Sequence, residues 1–239
     1  LSHVISGKTI VIDPGHGGKD PGAMGNGLRE KDITLFMAKH LYNYVKKTYP
    51  SVDIYLTRYQ DEFVDLSIRA SRANARKADV FLSIHVNSGG GTGFESFIHP
   101  NAASRTAQIQ EIVHKTAMKA MPKVKDRGRK RKNLAVLRQT TMPAILVETL
   151  FIDNAKDAKL LKDEAFLKQV AEAYADGLAA AFKLKPVKAN PSVPRPVNSL
   201  GPLHRVIVDG RQVGAFSDQQ NVLNQVKSEL GKARRIEIE

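Results

Sequence analysis

Cysteine is absent from the 239 residues, and aromatic side chains make up only 6% of them. Without cysteine there can be no disulfides, thiolate metal sites or cysteine nucleophiles, so any metal must be held by His, Asp or Glu. No apolar run approaches the roughly 18 residues that a membrane-crossing helix needs, so no membrane insertion is expected. The opening LSHVISGKTIVIDPG lacks the charged start, apolar stretch and cleavage pattern of a secretory leader. A protein held in the cytoplasm until it is released to its target is therefore expected. Few aromatics and no nucleic-acid motif argue against a nucleic-acid binder, even in a basic chain. What is present is ordinary globular composition, 42% hydrophobic and 26% charged.

The formal net charge of +13 calls for an anionic partner, such as nucleic acid, anionic lipid or the acidic polymers of a bacterial wall. Residues 186–239 hold 8 Lys/Arg against 5 Asp/Glu, or +3, which leaves +10 for residues 1–185. Much of that excess sits in Lys123–Lys132, with seven basic residues and one acid. A solvated loop and a binding surface are both open readings of this run.

Residues 185–202, with five prolines, read as a stiff extended linker between a domain at 1–184 and a small unit at 203–239. The first part alternates strand-like and helix-like segments. This predicts an α/β domain with a mostly parallel or mixed sheet of about six strands, flanked by helices. Expected strands are Lys8–Ile12, Val52–Thr57, Asp79–His85, Gly93–His99 near an edge, Asn133–Leu137 and Ala144–Glu148. Expected helices cover 30–49, 66–78, 104–121 and 164–183, and the first, third and fourth carry apolar residues at helical spacing. The tail reads as a small α+β unit: two strands around Asp209-Gly210, an amphipathic helix, and a last strand in ARRIEIE. About 37 residues are few for an independent core, so this unit is expected to dock or pair.

Several strands end in residues suited to chemistry, at the sheet edge where α/β sites collect. Strand 8–12 leads to His16 in a Gly-rich turn, strand 79–85 ends on His85, strand 144–148 ends on Glu148, and Glu30 starts a helix. Two imidazoles and one carboxylate fill three corners of a tetrahedral zinc and leave a fourth for water. A second carboxylate that stays off the metal can take and return a proton. Singly, each residue has a plainer explanation. His85 could be a satisfied core histidine, and Glu30 suits a helix N-terminus by charge alone. Glu148 is harder to dismiss, because an unpaired carboxylate after AILV is costly. Asn87, just past His85, either contacts substrate or shapes the turn.

In order along the chain come IVIDPGHGGKDPGA, GLREKD, YLTR, RASRAN, ADVFLSIHVNS, GFE, DRGRKRKNLAVLR and MPAILVETLFIDNAKD. In these motifs residues 6–183 resemble the zinc-dependent N-acetylmuramoyl-L-alanine amidases of the amidase type 3 family, found in autolysins and phage endolysins. The resemblance implies one Zn²⁺ held by His16, Glu30 and His85, with Glu148 catalytic. It also implies hydrolysis of the amide between N-acetylmuramic acid and L-alanine in peptidoglycan. A zinc peptidase cutting within the stem peptide is the alternative that the same site would serve. Anionic groups of the stem peptide or wall are expected to meet Arg127–Lys132, with Arg129 and Asn87 as candidate substrate contacts. The family often has Gly-Phe soon after the catalytic glutamate, where this chain has Leu150-Phe151. The tail resembles wall-binding segments of endolysins and half of a peptidoglycan-binding repeat, which implies wall attachment and a possible homodimer through residues 203–239.

Overall fold

The computed structural model describes residues 7–187 and the backbone of three short strands between 204 and 238. The chain divides into two units, Leu1–Val187 and Lys188–Glu239. In the first unit the order is β1 (Thr9–Pro14), β2 (Met24–Gly25), β3 (Leu28–Arg29), α1 (Glu30–Thr48), β4 (Asp53–Leu56), α2 (Leu66–Ala75) and β5 (Val80–Asn87). It continues with β6 (Phe94–Ile98), α3 (Ser104–Ala120), β7 (Asp126–Arg131), α4 (Ala135–Gln139), β8 (Ala144–Phe151), α5 (Ala155–Leu161) and α6 (Glu164–Ala181).

Six strands form one sheet in the order β4-β1-β5-β8-β6-β7. β4, β1, β5 and β8 run parallel, whereas β6 is antiparallel to β8 and parallel to β7. The parallel strands are near-continuous apolar runs, as expected where both faces are covered. The sheet is thus α/β and mostly parallel, flanked by helices.

The two faces are unequal. Ile10, Ile12, Leu82, Ile84, Ile145 and Val147 pack with α1, α3 and α6 in the larger core. Val11, Phe81, Phe97, Ala144 and Leu146 face α2 and α4 in a smaller one. Because side chains alternate along a strand, Asp13, His85, Glu148 and Glu95 continue this second face past the end of its apolar cover. That is where the site lies.

One expectation is overturned. Asn133–Leu137 is not a strand: Ala135–Gln139 is a short helix whose Val136 and Leu137 are buried, and the strand is Asp126–Arg131 instead. Asp126–Arg131 carries too much charge to read as a strand, but it lies at the sheet edge. There, charged side chains are tolerated and block further pairing. The basic run is therefore mostly an edge strand rather than a loop, and β6 lies one strand in from that edge.

In the second unit, β9 (His204–Val208) pairs antiparallel with both β10 (Arg211–Phe216) and β11 (Ile236–Ile238). Residues 188–202 of the proline-rich linker and the amphipathic helix of the tail fall outside the described residues. No helix among the described residues is long and apolar enough to cross a membrane.

Candidate metal and catalytic site

The DPGHGG turn carries the first histidine, and two buried arginines hold that turn by its carbonyls. Arg58, fully buried, donates to the carbonyls of Pro14, Gly15 and Lys31 at 2.8–3.0 Å. Arg69 donates to the carbonyls of Pro14 and His16 and to Asp13 Oδ1 at 2.7–2.9 Å. His16 itself sits at φ 61°, a left-handed conformation that costs a non-glycine residue of order 1–3 kcal/mol and persists only where its surroundings enforce it. Lys31 Nζ adds a bond to the Gly18 carbonyl, and Thr34 Oγ1 one to that of Gly15.

Asp13, under this turn, is fully buried. Burial alone would push its pKa up, but the Arg69 charge and hydrogen bonds from Thr57, Ser83 and Arg69 hold it below the ordinary 3.8. A depressed carboxylate contributes stability above its unfolded pKa and loses it as pH falls through the folded value. Loss of folding free energy is therefore expected to begin near pH 4 and steepen below it. Chemical denaturation against pH checks this, and Asp13→Asn should flatten the acid limb.

Glu30 reaches the turn through a two-residue reversal. Asn26 and Gly27, both at positive φ, join β2 to β3, and α1 begins at once after Arg29. The Glu30 carboxylate accepts the backbone N–H of Ala23 at 2.8 Å and that of Val86 at 2.9 Å. Its two oxygens also meet the rings, Oε2 at 3.1 Å from His16 Nε2 and Oε1 at 2.9 Å from His85 Nδ1. Asp20 engages the other side of His16, at 2.8 Å from Nδ1, and leaves Nε2 facing the site. One ligand atom from each of His16, Glu30 and His85 lies within 4.8 Å of the others.

Electrostatics bind this trio. Burial opposes the charge on every member, yet the imidazoles hold Glu30 far below the usual carboxylate range. Glu30 in turn raises His16, and lifts His85 to about 9. A cation bound among these groups replaces protons that the bare cluster holds.

There is little spare room. A Cβ on Gly15 would come 2.3 Å from the His85 ring, and one on Gly22 would come 2.6 Å from Glu30 Oε2. Gly15→Ala is expected to displace the ring and lower metal affinity at least tenfold, as outer-sphere changes at metal sites typically do. Calorimetric zinc titration checks this, and unchanged affinity would count against the packing argument.

Glu148 stands beside His85, its register partner on β8. Among the described residues, its Oε2 is the one buried side-chain polar atom left without a hydrogen-bond partner. Burial raises its pKa to about 7; His85 opposes the rise, while Glu30 and Glu95 add to it. Immediately after it the strand bulges, with Leu150 at φ 67°. A left-handed position suits glycine best, yet here the fully buried Leu150 side chain occupies it and fills the core. Beyond His16 and His85 a groove of about 400 Å³ opens between Phe63, Val64, Leu134 and Leu146.

The two candidate substrate contacts are placed differently. Asn87 Nδ2 donates to Glu95 Oε1 at 2.6 Å, so its amide holds a neighbour of the site. Arg129 pairs with Glu111 of α3, on the opposite face of the sheet from Glu148. Arg127 and Lys130 instead reach Glu95, which is buried next to Glu148 across the sheet. Arg58, Arg69 and Glu95 were not singled out from the sequence. A signal existed for two of them: Arg69 shares the buried stripe of α2 with Ala70 and Ala73, and Glu95 interrupts the apolar strand FESFI.

Two imidazoles and a carboxylate converging in one pocket, with an orphaned carboxylate oxygen beside them, fit a zinc ion with an open position. Comparison with known proteins identifies the family. The N-acetylmuramoyl-L-alanine amidase CwlM of Bacillus licheniformis is 47% identical over 175 residues, covering 73% of this chain and 69% of that protein. The endolysin of Bacillus phage SPP1 is 46% identical over 193 residues, covering 79% of this chain and 70% of its own length. Among solved structures, the catalytic domain of the amidase CwlV from Bacillus (Paenibacillus) polymyxa var. colistinus superposes with a TM-score of 0.71 at 38% identity. It covers 74% of this chain and 99% of that domain. The family model described as N-acetylmuramoyl-L-alanine amidase matches residues 10–180, and the chain belongs to that family.

Proposed function

We propose that the chain hydrolyses the amide between N-acetylmuramic acid and L-alanine in peptidoglycan, with His16, Glu30 and His85 holding one zinc ion and Glu148 moving the proton. The unpartnered, buried Oε2 of Glu148 beside the three-residue cluster carries this reading. Family membership supplies the bond that is cut and sets aside a peptidase acting within the stem.

A zinc ion bound there supplies Lewis acidity, polarising the amide carbonyl and acidifying water. The protein does the rest. Asp20 orients the His16 imidazole, and the backbone N–H groups of Ala23 and Val86 fix Glu30. Glu148 Oε2 takes a proton from water and returns it to the leaving L-alanine nitrogen, acting as base and then acid. Burial of Glu148 keeps bulk water from competing for that oxygen.

Purified peptidoglycan digested with and without a chelator tests the proposal. New L-alanine amino termini without new reducing ends are expected, lost with chelator and restored by added zinc. Termini on D-amino acids, or release indifferent to chelator, would contradict it.

A further inference from the structure

His85, Glu148 and Glu95 are register partners on neighbouring strands, so they form a row across β5, β8 and β6. Arg127 extends the row from β7, its Nε donating to Glu95 Oε2 at 3.0 Å. Lys130 meets the same oxygen, so two cations share one carboxylate and the far end of the row is net positive. The Arg127 guanidinium also lies 4.7 Å from the centre of the Phe151 ring. Phe151 belongs to β8, so this side chain leans back across β6 toward the strand that carries Glu148. The ring under it is fixed, because Gly91 lies so close that an added Cβ would come 2.4 Å from the ring. The backbone N–H of Phe151 is bound by Asp157 at 2.9 Å. Among the described residues, the two terminal nitrogens of Arg127 donate to nothing, and its side chain is 28% exposed.

We propose that Arg127 is a specificity-determining residue whose guanidinium fork receives a free carboxylate on the peptide side of the scissile amide. The inference rests on the amidase reading above. A stacked fork with unused parallel donors is built for a planar two-oxygen anion. In this substrate the sugar's own carboxyl is consumed in the amide, so the remaining carboxylates lie on the peptide. Strands about 4.8 Å apart put the backbone of Arg127 roughly 14 Å from that of His85. The lean over Phe151 closes much of that distance. Two peptide residues span about 7 Å, which assigns the contact to the carboxylate of the second residue. Arg129, on the opposite face, has no part in it.

The test uses two soluble muropeptides that differ only in whether the second residue's carboxylate is free or amidated. The full chain is expected to cleave both at the same amide, with kcat/KM roughly tenfold or more higher for the free acid, as loss of a charged hydrogen-bonded pair implies. In Arg127→Met that ratio should fall toward one. Arg127→Lys keeps the charge without the fork, and its ratio should lie between the two. A purely structural role for Arg127 would slow both substrates alike and leave the ratio unchanged, which would overturn the proposal. A wild-type ratio near one would overturn it as well, while leaving the amidase reading intact. Failure to release L-alanine termini from either substrate would instead refute that reading.

Discussion

Glu148→Gln is expected to lower kcat about 10³-fold, within the range that a positioned general acid–base group supplies. The substitution keeps the shape of the side chain and removes its ability to accept a proton. Metal content should remain, because Glu148 lies outside the three-residue cluster. Stability should remain too, or rise. In the metal-free protein the pKa of Glu148 climbs from 4.5 to about 7, so the folded state holds a proton that the unfolded chain has released. Folding free energy is therefore lost as pH rises through that window, the opposite sign from Asp13. Glutamine has no such loss, and its thermal midpoint at pH 8 should equal or exceed that of the parent. A dead but stable enzyme is the signature of a residue kept for chemistry at some cost to folding. Rates of L-alanine terminus release together with a thermal melt check both halves, and activity within threefold of wild type would remove Glu148 from the mechanism.

Arg69→Met is expected to cost about 3–5 kcal/mol, the usual consequence of stripping one partner from a buried ion pair. Arg69 and Asp13 are both essentially inaccessible to solvent, so Asp13 would be left buried without the cation that pairs with it. The carbonyls of Val64, Pro14 and His16 would lose donors as well. Because the last of these anchors the strained backbone of His16, metal affinity should fall along with stability. Adding Asp13→Asn to Arg69→Met should recover part of the folding free energy, since it removes the unpaired carboxyl group, but not the metal affinity. Urea unfolding and zinc titration of the single and double variants check this. A single variant as stable as the parent would mean that the turn is held in some other way.

The sequence made the parallel part of the fold readable because its strands are unbroken apolar runs ending in polar residues. IVIDP, VFLSIH and AILVE each announce both a strand and the edge where chemistry collects. His16, His85 and Glu148 came from that pattern. Glu30 did not, because a carboxylate in a first helical turn needs no ligand to explain it. Only the motif order in the sequence and the paired imidazoles in the structure give it a role. The edge of the sheet was least legible. Asp126–Arg131 has no apolar alternation, so hydrophobic patterning favours the neighbouring NLAVL, which folds instead as a short helix buried under the smaller face. The same blind spot hid Arg127, since charge density marks a basic run without saying which of its residues face the site. A bulge in the edge strand separates them: Phe94 pairs with Asp126 but Ser96 with Arg129, and the extra residue at Gly128 turns Arg127 and Arg129 to opposite faces, so that only the first meets Glu95.

Zinc stoichiometry across three proteins tests the central claim most directly: the wild type, Glu148→Gln and His85→Ala, each exchanged against limiting metal and measured by elemental analysis. One zinc per chain is expected in the wild type and in Glu148→Gln, and close to none in His85→Ala. Zinc lost with Glu148→Gln, or retained in full with His85→Ala, would contradict the division between metal-holding and proton-moving residues.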